Sequence, residues 1–497
     1  MAEFRAGELT WTDDRLWPQF AAQAAADPEA LALIDCDDRR WTRRDLSELA
    51  LDLGGRLGAA GVGAESRVLV EGVKRAETLA AALAVSALEA TFCPYSPKLS
   101  DADRQTLEAR LGHAAHVVIG GGNVVIAQST TGDRVADPRD RDTVLIGFTS
   151  GSTGVPKAVM HSAAALNYAT RACATIAELQ PGESILGIVP LDSAPGFTFT
   201  AHFALSQGRP LVFLDPWDPN AAIRRATDHG CAWAIMVPTH LYTMVEAART
   251  GAWSGALPLR AAAVGGSAMT PDLIADAERL LGLKALRMFG MSECMGHCST
   301  QPADPLVRRQ RTDGVPFPGT EEEAFDADGI ALPRGSRGQA GVRGPSLFLG
   351  YAEGLGAGQE WLTRDGFFLT GDEIVRDEEG FVTVVGRIKD QIIRGGFNID
   401  PAEIEAALLR HPAIAEVAVV AVPEPKLGEQ ACAVCRVRQD AAPFMFATMV
   451  DHLEREGLSR KKWPEHLLIV EEMAIGATGK LDKKTMAARA ASALGLG

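Results

Sequence analysis

The sequence lacks the long apolar runs and the basic excess that would place it in a membrane or on a nucleic acid. No stretch of about 18 apolar residues, the length that crosses a bilayer, occurs among its 497 residues. The formal net charge is −15, from 49 basic and 64 acidic residues, whereas nucleic-acid surfaces need clustered Lys and Arg. We therefore expect neither a membrane span nor a nucleic-acid partner, and an anionic substrate must be held by local donors.

Cysteines are few and scattered, eight in all, which is not the pattern of a disulfide framework. The first thirty residues show no basic start followed by an apolar block, so no secretory signal is predicted. Cys432 and Cys435 have zinc-like spacing but lie in an alternating run, where side chains point to opposite faces. Cys294 and Cys298 flank His297 without a second ligand pair, which favours packing over metal binding. A reducing, cytoplasmic setting is predicted.

Apolar runs alternate with helical patterns along the chain and predict an α/β fold. A chain of 497 residues exceeds one ordinary core, so two or three domains are expected. The β-then-α alternation predicts mostly parallel sheets covered by helices. Strands are predicted at 30–36, 68–72, 117–120, 144–148, 185–189, 211–213, 234–237, 261–264 and 286–289, and helices at 18–26, 44–60, 76–90, 164–177, 219–229 and 271–281.

The composition changes in the last third of the chain. Glycine, proline and short alternating strands between residues 319 and 351 suggest a small β-rich module that completes the large domain, followed by a hairpin at 374–387. Beyond it the sequence predicts a compact α+β domain, with strands at 392–399, 417–422, 431–437 and 467–470 and helices at 401–408 and 443–456. We expect a large N-terminal lobe over residues 1–388 and a small C-terminal lobe over 389–497, joined by a hinge.

The densest polar stretch is Thr149–Lys157, with the sequence TSGSTGVPK. It directly follows the apolar run 144–148, which is typical of a buried strand, so it is predicted to be the loop at that strand's carboxyl end. Glycines let the backbone approach a polyanion, while N–H groups, hydroxyls and an ammonium supply donors for phosphate oxygens. The pattern differs from the usual P-loop because its lysine follows proline. It predicts a triphosphate-binding loop.

This loop resembles the phosphate-binding signature of the adenylate-forming superfamily, which comprises acyl-CoA synthetases, stand-alone adenylation domains and luciferases. Three further motifs occur in the family's order: Phe289–Glu293 (FGMSE), Thr370–Asp372 (TGD) and Gly479–Lys480. The resemblance extends over nearly the whole chain. It implies ATP-dependent activation of a carboxylic acid to an acyl-adenylate with release of pyrophosphate, followed by transfer to a thiol.

The resemblance also implies a role for individual residues. The catalytic residues would be Lys480, Glu293 and Lys157. ATP would be bound by Thr149, Ser150, Gly151, Ser152, Thr153, Gly154, Gly265, Gly266, Ser267, Phe289, Gly290, Ser292, Asp372 and Arg387. Mg²⁺ would be held by Glu293 with Thr149, the lobes would turn about a hinge at Lys389, and Gly395 and Gly396 would line the tunnel for the thiol.

The chemistry of these residue types agrees with those roles. An ionised aspartate is an acceptor with two oxygens and suits the two ribose hydroxyls, and a glutamate at a strand end can hold the Mg²⁺ that bridges phosphates. One departure from the family lies near Lys480, where Met473-Ala474-Ile475 replace the proline that often precedes this lysine.

The acid pocket is predicted from the resemblance to contain Asp192, Ser193, Ala194, Phe197, His240, Gly265 and Met291. Acyl-CoA synthetases commonly read Pro-Leu-x-His-x-x-Gly at the first of these loops, and Ser193 replaces that histidine. Ala194 stands where amino-acid-activating relatives carry an aspartate, which disfavours an α-amino acid, although Asp192 could bind an amine if it turned inward. A small aliphatic or aromatic acid is predicted, with CoA as thiol acceptor.

An alternative is a stand-alone adenylation enzyme that loads an aryl, amino or β-amino acid onto a carrier protein's phosphopantetheine. CoA and the carrier present the same thiol arm, so the acceptor stays open. A non-catalytic binding module predicts damage at the lysines, the glutamate or the aspartate named above, and all are present. A kinase using the loop predicts ADP as product, whereas adenylation predicts AMP and pyrophosphate.

Overall fold

The computed structural model describes residues 2–99, 101–120, 123–128, 137–149, 157–251, 253, 255–266, 269–352, 362–395, 397–438, 441–476 and 481–496. Some predicted site residues lie outside this set: Ser150, Gly151, Ser152, Thr153, Gly154, Ser267, Gly396 and Lys480. The side chain of Lys389 also lies outside it.

Helices and strands are numbered in chain order. The α-helices are α1 (Leu16–Ala26), α2 (Arg43–Ala59), α3 (Ala76–Ala87), α4 (Asp101–Leu111), α5 (Ala163–Ile176), α6 (Ala194–Gly196), α7 (Phe203–Gln207), α8 (Pro219–Asp228), α9 (Pro238–Arg249), α10 (Pro271–Leu281), α11 (Leu306–Arg311), α12 (Pro401–Leu408), α13 (Phe446–Arg455) and α14 (Lys483–Ala493). A π-helical segment, Phe197–His202, joins α6 to α7, and 3-10 turns lie at Ile388–Asp390 and Arg460–Lys462.

The strands of the large lobe are β1 (Glu3–Ala6), β2 (Leu9–Thr12), β3 (Leu31–Ile34), β4 (Arg40–Thr42), β5 (Arg67–Glu71), β6 (Thr91–Tyr95), β7 (Ala115–Gly120), β8 (Asn123–Gln128), β9 (Thr143–Thr149), β10 (Lys157–Ser162), β11 (Ser184–Gly187), β12 (Leu211–Phe213), β13 (Cys231–Met236), β14 (Ala261–Val264), β15 (Lys284–Met291), β16 (Cys294–Ser299), β17 (Val315–Pro316), β18 (Glu321–Phe325), β19 (Arg337–Arg343), β20 (Gly350–Tyr351), β21 (Phe368–Arg376) and β22 (Val382–Arg387). The strands of the small lobe are β23 (Ile392–Arg394), β24 (Phe397–Ile399), β25 (Ile414–Glu424), β26 (Gly428–Val437) and β27 (His466–Ile469).

Two sheets form the body of the large lobe. The nine-stranded sheet has the order β17-β16-β15-β14-β13-β11-β12-β3-β4, and its strands from β15 through β3 are parallel. The seven-stranded sheet has the order β20-β10-β9-β6-β5-β7-β8, with a parallel centre of β9, β6, β5 and β7. The predicted α/β fold with mostly parallel sheets is confirmed.

Helix α3 shows how the sequence builds the core beneath these sheets. It is rich in alanine, and its residues Ala76 and 78–85 are all buried, as expected for a helix that is apolar on every side. The small side chains let it pack closely against α2 and α1. One apolar cluster joins this helix to strands of both sheets, including Val68 of one and Trp233 of the other.

Two smaller sheets complete the molecule. Strands β18, β19, β21 and β22 form an antiparallel sheet of the large lobe, which is the predicted β-rich module. The C-terminal lobe has a five-stranded sheet of β24, β23, β26, β25 and β27 with α12, α13 and α14, and it has its own apolar clusters. The large lobe and the smaller α+β lobe were both predicted.

Some elements differ from the prediction. Strand β10, which follows the predicted phosphate loop and pairs antiparallel with β9, was not predicted. The segment 194–207 is helical, whereas the sequence predicted a loop over 190–196 and no element between there and the strand at 211–213. Ser193 caps its first turn, and nearly every residue in it is buried. Strand β16 was also missed, and its Cys294, His297 and Cys298 are buried.

The cysteines behave as packing residues. All eight are free, and all but Cys36 are buried. Cys432 and Cys435 on β26 belong to different apolar clusters, as expected for side chains on opposite faces of a strand. Among the described residues, no three His, Cys, Asp or Glu side chains gather in a metal-binding group. Within the same residues, no helix combines the length and apolar character needed to cross a membrane.

Candidate active site

The predicted phosphate loop is held at both ends by a β-hairpin. Thr149, the last residue of β9, pairs with Lys157, the first residue of β10, so the ends of the polar segment are fixed side by side. The Lys157 Nζ atom lies 4.7 Å from the ring centroid of Tyr351, within the range of a cation–π contact. The loop's lysine is therefore in contact with the neighbouring strand β20.

Tyr351 connects this lysine to the predicted magnesium ligand. Its hydroxyl donates a 2.7 Å hydrogen bond to Oε1 of Glu293, and both side chains are buried, at 3% and 8% exposure. Burial raises the pKa of the Tyr351 phenol, and the neighbouring Glu293 carboxylate raises it further, so the phenol stays a donor at neutral pH. Lys157, Tyr351 and Glu293 form one continuous contact chain.

Glu293 occupies a tight turn between two antiparallel strands. It lies between Met291 and Cys294, which pair across the β15–β16 hairpin. Gly290 is required just before this turn, because a Cβ there would lie 2.8 Å from the amide nitrogen of Gly296. Gly265 meets a similar constraint, since its Cβ would lie 2.6 Å from the Met288 carbonyl oxygen. Both glycines permit close backbone approach at the carboxyl ends of β14 and β15.

Asp372 and Arg387 form a pair at the edge of the β-rich module. They face each other across β21 and β22, and Arg387 Nε donates a 2.6 Å hydrogen bond to Asp372 Oδ1. Asp372 is buried, at 4% exposure, while its own amide donates to Oγ1 of Thr370. The bond to Arg387 fixes the carboxylate but leaves acceptor capacity for a ligand.

Part of this set lines one cleft of about 480 Å³ between the two lobes, called the interlobe cleft below, whereas Lys157, Glu293 and Tyr351 are not among its lining residues. Its lining from the large lobe includes Thr239, Gly265, Gly266, Phe289, Gly290, Asp372 and Arg387. The cleft is reached by residues at or just past the carboxyl ends of parallel strands β13, β14 and β15, because these ends share one edge of a sheet. Six predicted ATP-binding residues are thus brought together: Gly265, Gly266, Phe289, Gly290, Asp372 and Arg387.

The small lobe contributes the opposite wall. Leu481 and Lys483 line the interlobe cleft, and Leu481 pairs with Ile475 across an isolated bridge. The Nζ atom of Lys483 lies 2.8 Å from Oε1 of Glu405, which also accepts a 2.7 Å hydrogen bond from the Val419 amide. These contacts anchor the segment that immediately follows Lys480 to the body of the small lobe.

Of the predicted acid-pocket residues, Gly265 lines the interlobe cleft and the others do not. Asp192, Ser193, Ala194, Phe197 and His240 are all described, and none is among the residues that line it. Ser193 caps the following helix by accepting a hydrogen bond from the Gly196 amide. Ala194 packs so closely against Gly147 that a Cβ on Gly147 would lie 2.3 Å from the Cβ of Ala194. Phe197 is buried against the ring of Phe92. Their role in binding the acid stays a prediction.

His240 and Asp192 share a polar neighbourhood with Lys74. Burial, with a smaller effect from Lys74, lowers the pKa of His240 to about 4, so the imidazole is neutral. Burial raises the pKa of Asp192, against the effect of Ser96 and nearby lysines. Lys74 donates a 2.7 Å hydrogen bond to the Ile188 carbonyl oxygen. Met291, the remaining pocket residue, packs in a small apolar cluster beside Cys294.

The remaining sites lie in the small lobe. Lys389 lies in the 3-10 turn Ile388–Asp390, between the last strand of the large lobe and the first strand of the small lobe. Gly395 is exposed and has φ +57, a left-handed conformation that suits glycine. Its amide donates to the Leu427 carbonyl oxygen at 2.7 Å.

A single carboxylate is a chemically adequate protein ligand for Mg²⁺ in a phosphate site. This ion is commonly held by one or two carboxylates together with substrate phosphates and waters. Glu293 supplies the carboxylate, and Ser292 follows the same strand into the turn. Oε1 of Glu293 is oriented by Tyr351. The donor set therefore fits a Mg²⁺ that takes its other ligands from ATP.

Comparison with known proteins agrees with this arrangement. The profile of the AMP-binding enzyme family matches residues 20–352, and that of the AMP-binding enzyme C-terminal domain matches residues 403–480. The chain belongs to the AMP-binding enzyme family. It is therefore an AMP-forming ligase, and the resemblance read from its motifs is confirmed.

Individual relatives of the AMP-binding family add detail. The chain is 32% identical over 351 residues to "Sulfoacetate--CoA ligase" of Cupriavidus necator, covering 70% of this chain and 67% of that protein. It is 29% identical over 368 residues to "Salicyl-AMP ligase / salicyl-S-ArCP synthetase" of Mycobacterium tuberculosis, covering 72% and 63%. These alignments span about two thirds of each relative.

A solved structure gives the same fold. ATP-bound MatB from Rhodopseudomonas palustris superposes with a TM-score of 0.81 and 24% identity, covering 96% of this chain and 99% of that one. At this identity the likeness concerns the fold alone. It shows that both lobes, and not only the large one, follow the architecture of AMP-binding enzymes.

Tyr351 and the Lys483–Glu405 pair are the candidate site residues that sequence reasoning missed. Tyr351 stands at the end of the glycine-rich module, and no local pattern marks it as a partner of Glu293, from which it is 58 residues distant in sequence. Lys483 lies just past the Gly479–Lys480 motif, and Glu405 lies in the helix predicted at 401–408. Their pairing depends on the tertiary fold.

Proposed function

We propose that this chain uses ATP to activate a small aliphatic or aromatic carboxylic acid and then transfers the acyl group to a thiol, in the manner of an acyl-CoA synthetase. The observation that carries the proposal is the interlobe cleft. Its lining includes Asp372 and Arg387 of the large lobe together with Leu481 and Lys483 of the small lobe, which lie one and three residues past the predicted catalytic lysine. A nucleotide in this cleft would meet Asp372 as an acceptor for its ribose hydroxyls and would lie beside the described residues that follow Lys480.

In the first half-reaction a carboxylate oxygen attacks the α-phosphorus of ATP. A new phosphorus–oxygen bond forms, the bond to the β-phosphate bridging oxygen breaks, and pyrophosphate leaves. No general base is required, because a carboxylic acid is already ionised at neutral pH. Catalysis is then mainly positioning and stabilisation of negative charge, for which Lys157 and Lys480 are the proposed cations. Mg²⁺ at Glu293, with Thr149, would neutralise phosphate charge when bound.

In the second half-reaction the thiol sulfur attacks the acyl carbon. The carbon–sulfur bond forms, AMP leaves with the bridging oxygen, and the thiol proton passes to solvent. The small lobe would turn about Lys389, at a boundary between residues 388 and 389, so that Gly395 and Gly396 replace the Lys480 segment. Hinge motions of this kind gate multi-step enzymes.

The proposed substrate and acceptor classes are supported by the relatives. The relatives described above are named for sulfoacetate and salicylate, both small acids, which supports a small carboxylic acid here. One is named as a CoA ligase and the other as loading an aryl carrier protein. CoA is the proposed acceptor, and the phosphopantetheine of a carrier protein is the alternative.

The test is a panel of carboxylic acids scored by pyrophosphate release, run without acceptor, with CoA and with a phosphopantetheinylated carrier. We expect release with small aliphatic or aromatic acids and thioester formation with CoA. Lys480→Ala should slow adenylate formation by about a hundredfold or more, which is the usual loss when one donor that stabilises transition-state charge is removed. Pyrophosphate release by no acid, or an unchanged rate in Lys480→Ala, would contradict the proposal.

A further inference from the structure

An arginine joins the two lobes next to the predicted ribose site. Arg337, the first residue of β19, donates from Nη2 to Oε2 of Glu373 at 2.7 Å and to Oδ2 of Asp400 at 2.6 Å. Glu373 directly follows Asp372 on β21, so it belongs to the large lobe. Asp400 lies eleven residues past Lys389, in the small lobe. One guanidinium therefore bridges both sides of the proposed hinge.

Asp400 is built into the small lobe by more than this ion pair. Its Oδ1 accepts a 3.0 Å hydrogen bond from the Ala402 amide and so caps α12. The carboxylate is buried, at 6% exposure, and it lies against Gly386, where a Cβ would be only 2.5 Å from Oδ2. A carboxylate held this way moves with α12 as a unit.

Glu373 receives a second bond from beyond the hinge. Gln391 Nε2 donates to Glu373 Oε2 at 3.1 Å. The Arg337–Glu373 bond lies wholly within the large lobe and would survive a rotation of the small lobe. The Arg337–Asp400 bond crosses the hinge, so a rotation about Lys389 must break it.

We propose that Arg337 is a positioning residue that, through its ion pair with Asp400, holds the small lobe in the orientation in which Leu481 and Lys483 line the interlobe cleft. The inference rests on the proposed function, because it assigns the observed orientation to the adenylation step. Charge-assisted hydrogen bonds of this kind are short and strong. The Arg337 side chain is 41% exposed, so solvent screens the pair and its contribution is moderate.

The kinetic test compares the two half-reactions. Arg337→Gln should slow adenylation, measured as ATP–pyrophosphate exchange, by about 5- to 20-fold. This is the lower part of the range found when a contact shifts the equilibrium between two conformations. Thiol transfer from supplied acyl-adenylate should be unchanged or faster, because the variant disfavours only the first orientation. Asp400→Asn keeps an N-cap residue at α12 and should reproduce the same split.

Matched controls separate this role from general loss of stability. Arg343→Gln removes another arginine of β19 whose ion pair with Glu321, at 2.8 Å, lies within the large lobe, and it should leave both half-reactions unchanged. The double variant Arg337→Gln with Asp400→Asn should be no slower in adenylation than either single variant, since both remove one interaction. Equal slowing of both half-reactions, or additive effects in the double variant, would overturn the proposal.

A distance measurement tests, without any catalytic assay, whether the Arg337–Asp400 ion pair holds the orientation of the two lobes. Spin labels at Asp328→Cys in the large lobe and Arg455→Cys in the small lobe, both exposed positions, report the lobe orientation by electron–electron resonance in a Cys36→Ser background. We expect a new population of distances in Arg337→Gln that is absent from Arg343→Gln. Identical distance distributions in the two variants would overturn the positioning role of Arg337. A shifted distribution in a chain that adenylates no acid would support that role and contradict the proposed function.

Discussion

Replacing Tyr351 by phenylalanine should weaken the predicted magnesium–ATP site without disturbing the fold. The change removes only the hydroxyl that donates to Glu293 at 2.7 Å. The aromatic ring, which packs 5.1 Å from Phe348 and carries the contact with Lys157, is retained. Glu293 would keep its place in the hairpin turn but lose the donor that orients its carboxylate.

The size of the effect follows from the burial of both groups. Hydrogen bonds to charged groups contribute about 1.5–3 kcal/mol, and water cannot easily replace this donor because Tyr351 and Glu293 are 3% and 8% exposed. Since each 1.4 kcal/mol is about a factor of ten, kcat/KM for magnesium–ATP should fall by about 10- to 150-fold.

The assay is ATP–pyrophosphate exchange at varied magnesium–ATP with a saturating acid. Tyr168→Phe is a matched control, because it removes another buried phenol whose bonds go to the Pro318 carbonyl oxygen and to Thr320, away from Glu293. We expect normal kcat/KM in Tyr168→Phe. A Tyr351→Phe variant with wild-type kcat/KM, or equal losses in both variants, would refute the proposed contact chain.

Two further predictions follow from the structure. In Asp372→Asn an NH₂ group, which only donates, replaces one carboxylate oxygen, so KM for ATP should rise about tenfold or more. The preference for ATP over 2′,3′-dideoxy-ATP should disappear in exchange assays. A retained preference would contradict ribose recognition by Asp372. Burial lowers the pKa of His202 from 6.5 to about 3. Between these two values the imidazole is protonated in the unfolded chain and neutral in the folded one. The free energy of unfolding should therefore fall by about 1.4 kcal/mol per pH unit as the pH decreases through this range. Denaturant titrations of His202→Gln should show a correspondingly shallower loss between about pH 6 and pH 4, and parallel curves would contradict the neutral buried imidazole.

Elements with strong local signals were predictable from the sequence. Helix α10 begins and ends where the sequence places it, because Thr270 caps its start and Gly282 ends it in a left-handed conformation. Strands β12 and β14 also have the predicted bounds, since each is a short, fully buried apolar run. Local chemistry sufficed in these places.

Strand β10 was not predictable in the same way. Its residues Lys157–Ser162 follow a proline and a hydroxyl-rich loop, and their strand character comes from pairing with β9 on one side and β20 on the other. Such strand character depends on these pairings, one of them with the distant strand β20, more than on intrinsic preference. The helical segment after Ser193 was missed for a related reason, because it is stabilised by burial between larger elements.

The candidate site shows the same division. The motifs carrying Glu293, Asp372 and the loop before Lys157 could be read from the sequence through resemblance. The contacts that organise them, from Tyr351 to Glu293 and from Arg337 to Asp400, join residues 58 and 63 positions apart. No periodicity or spacing reports such contacts, so they required the structure.

The central claim is that a carboxylate oxygen attacks the α-phosphorus of ATP in the interlobe cleft. It is tested most directly by supplying an accepted acid labelled with ¹⁸O in its carboxylate and analysing the nucleotide product after thioester formation. We expect AMP that carries one labelled oxygen, together with unlabelled pyrophosphate. Label in orthophosphate, with ADP as the nucleotide product, would contradict it.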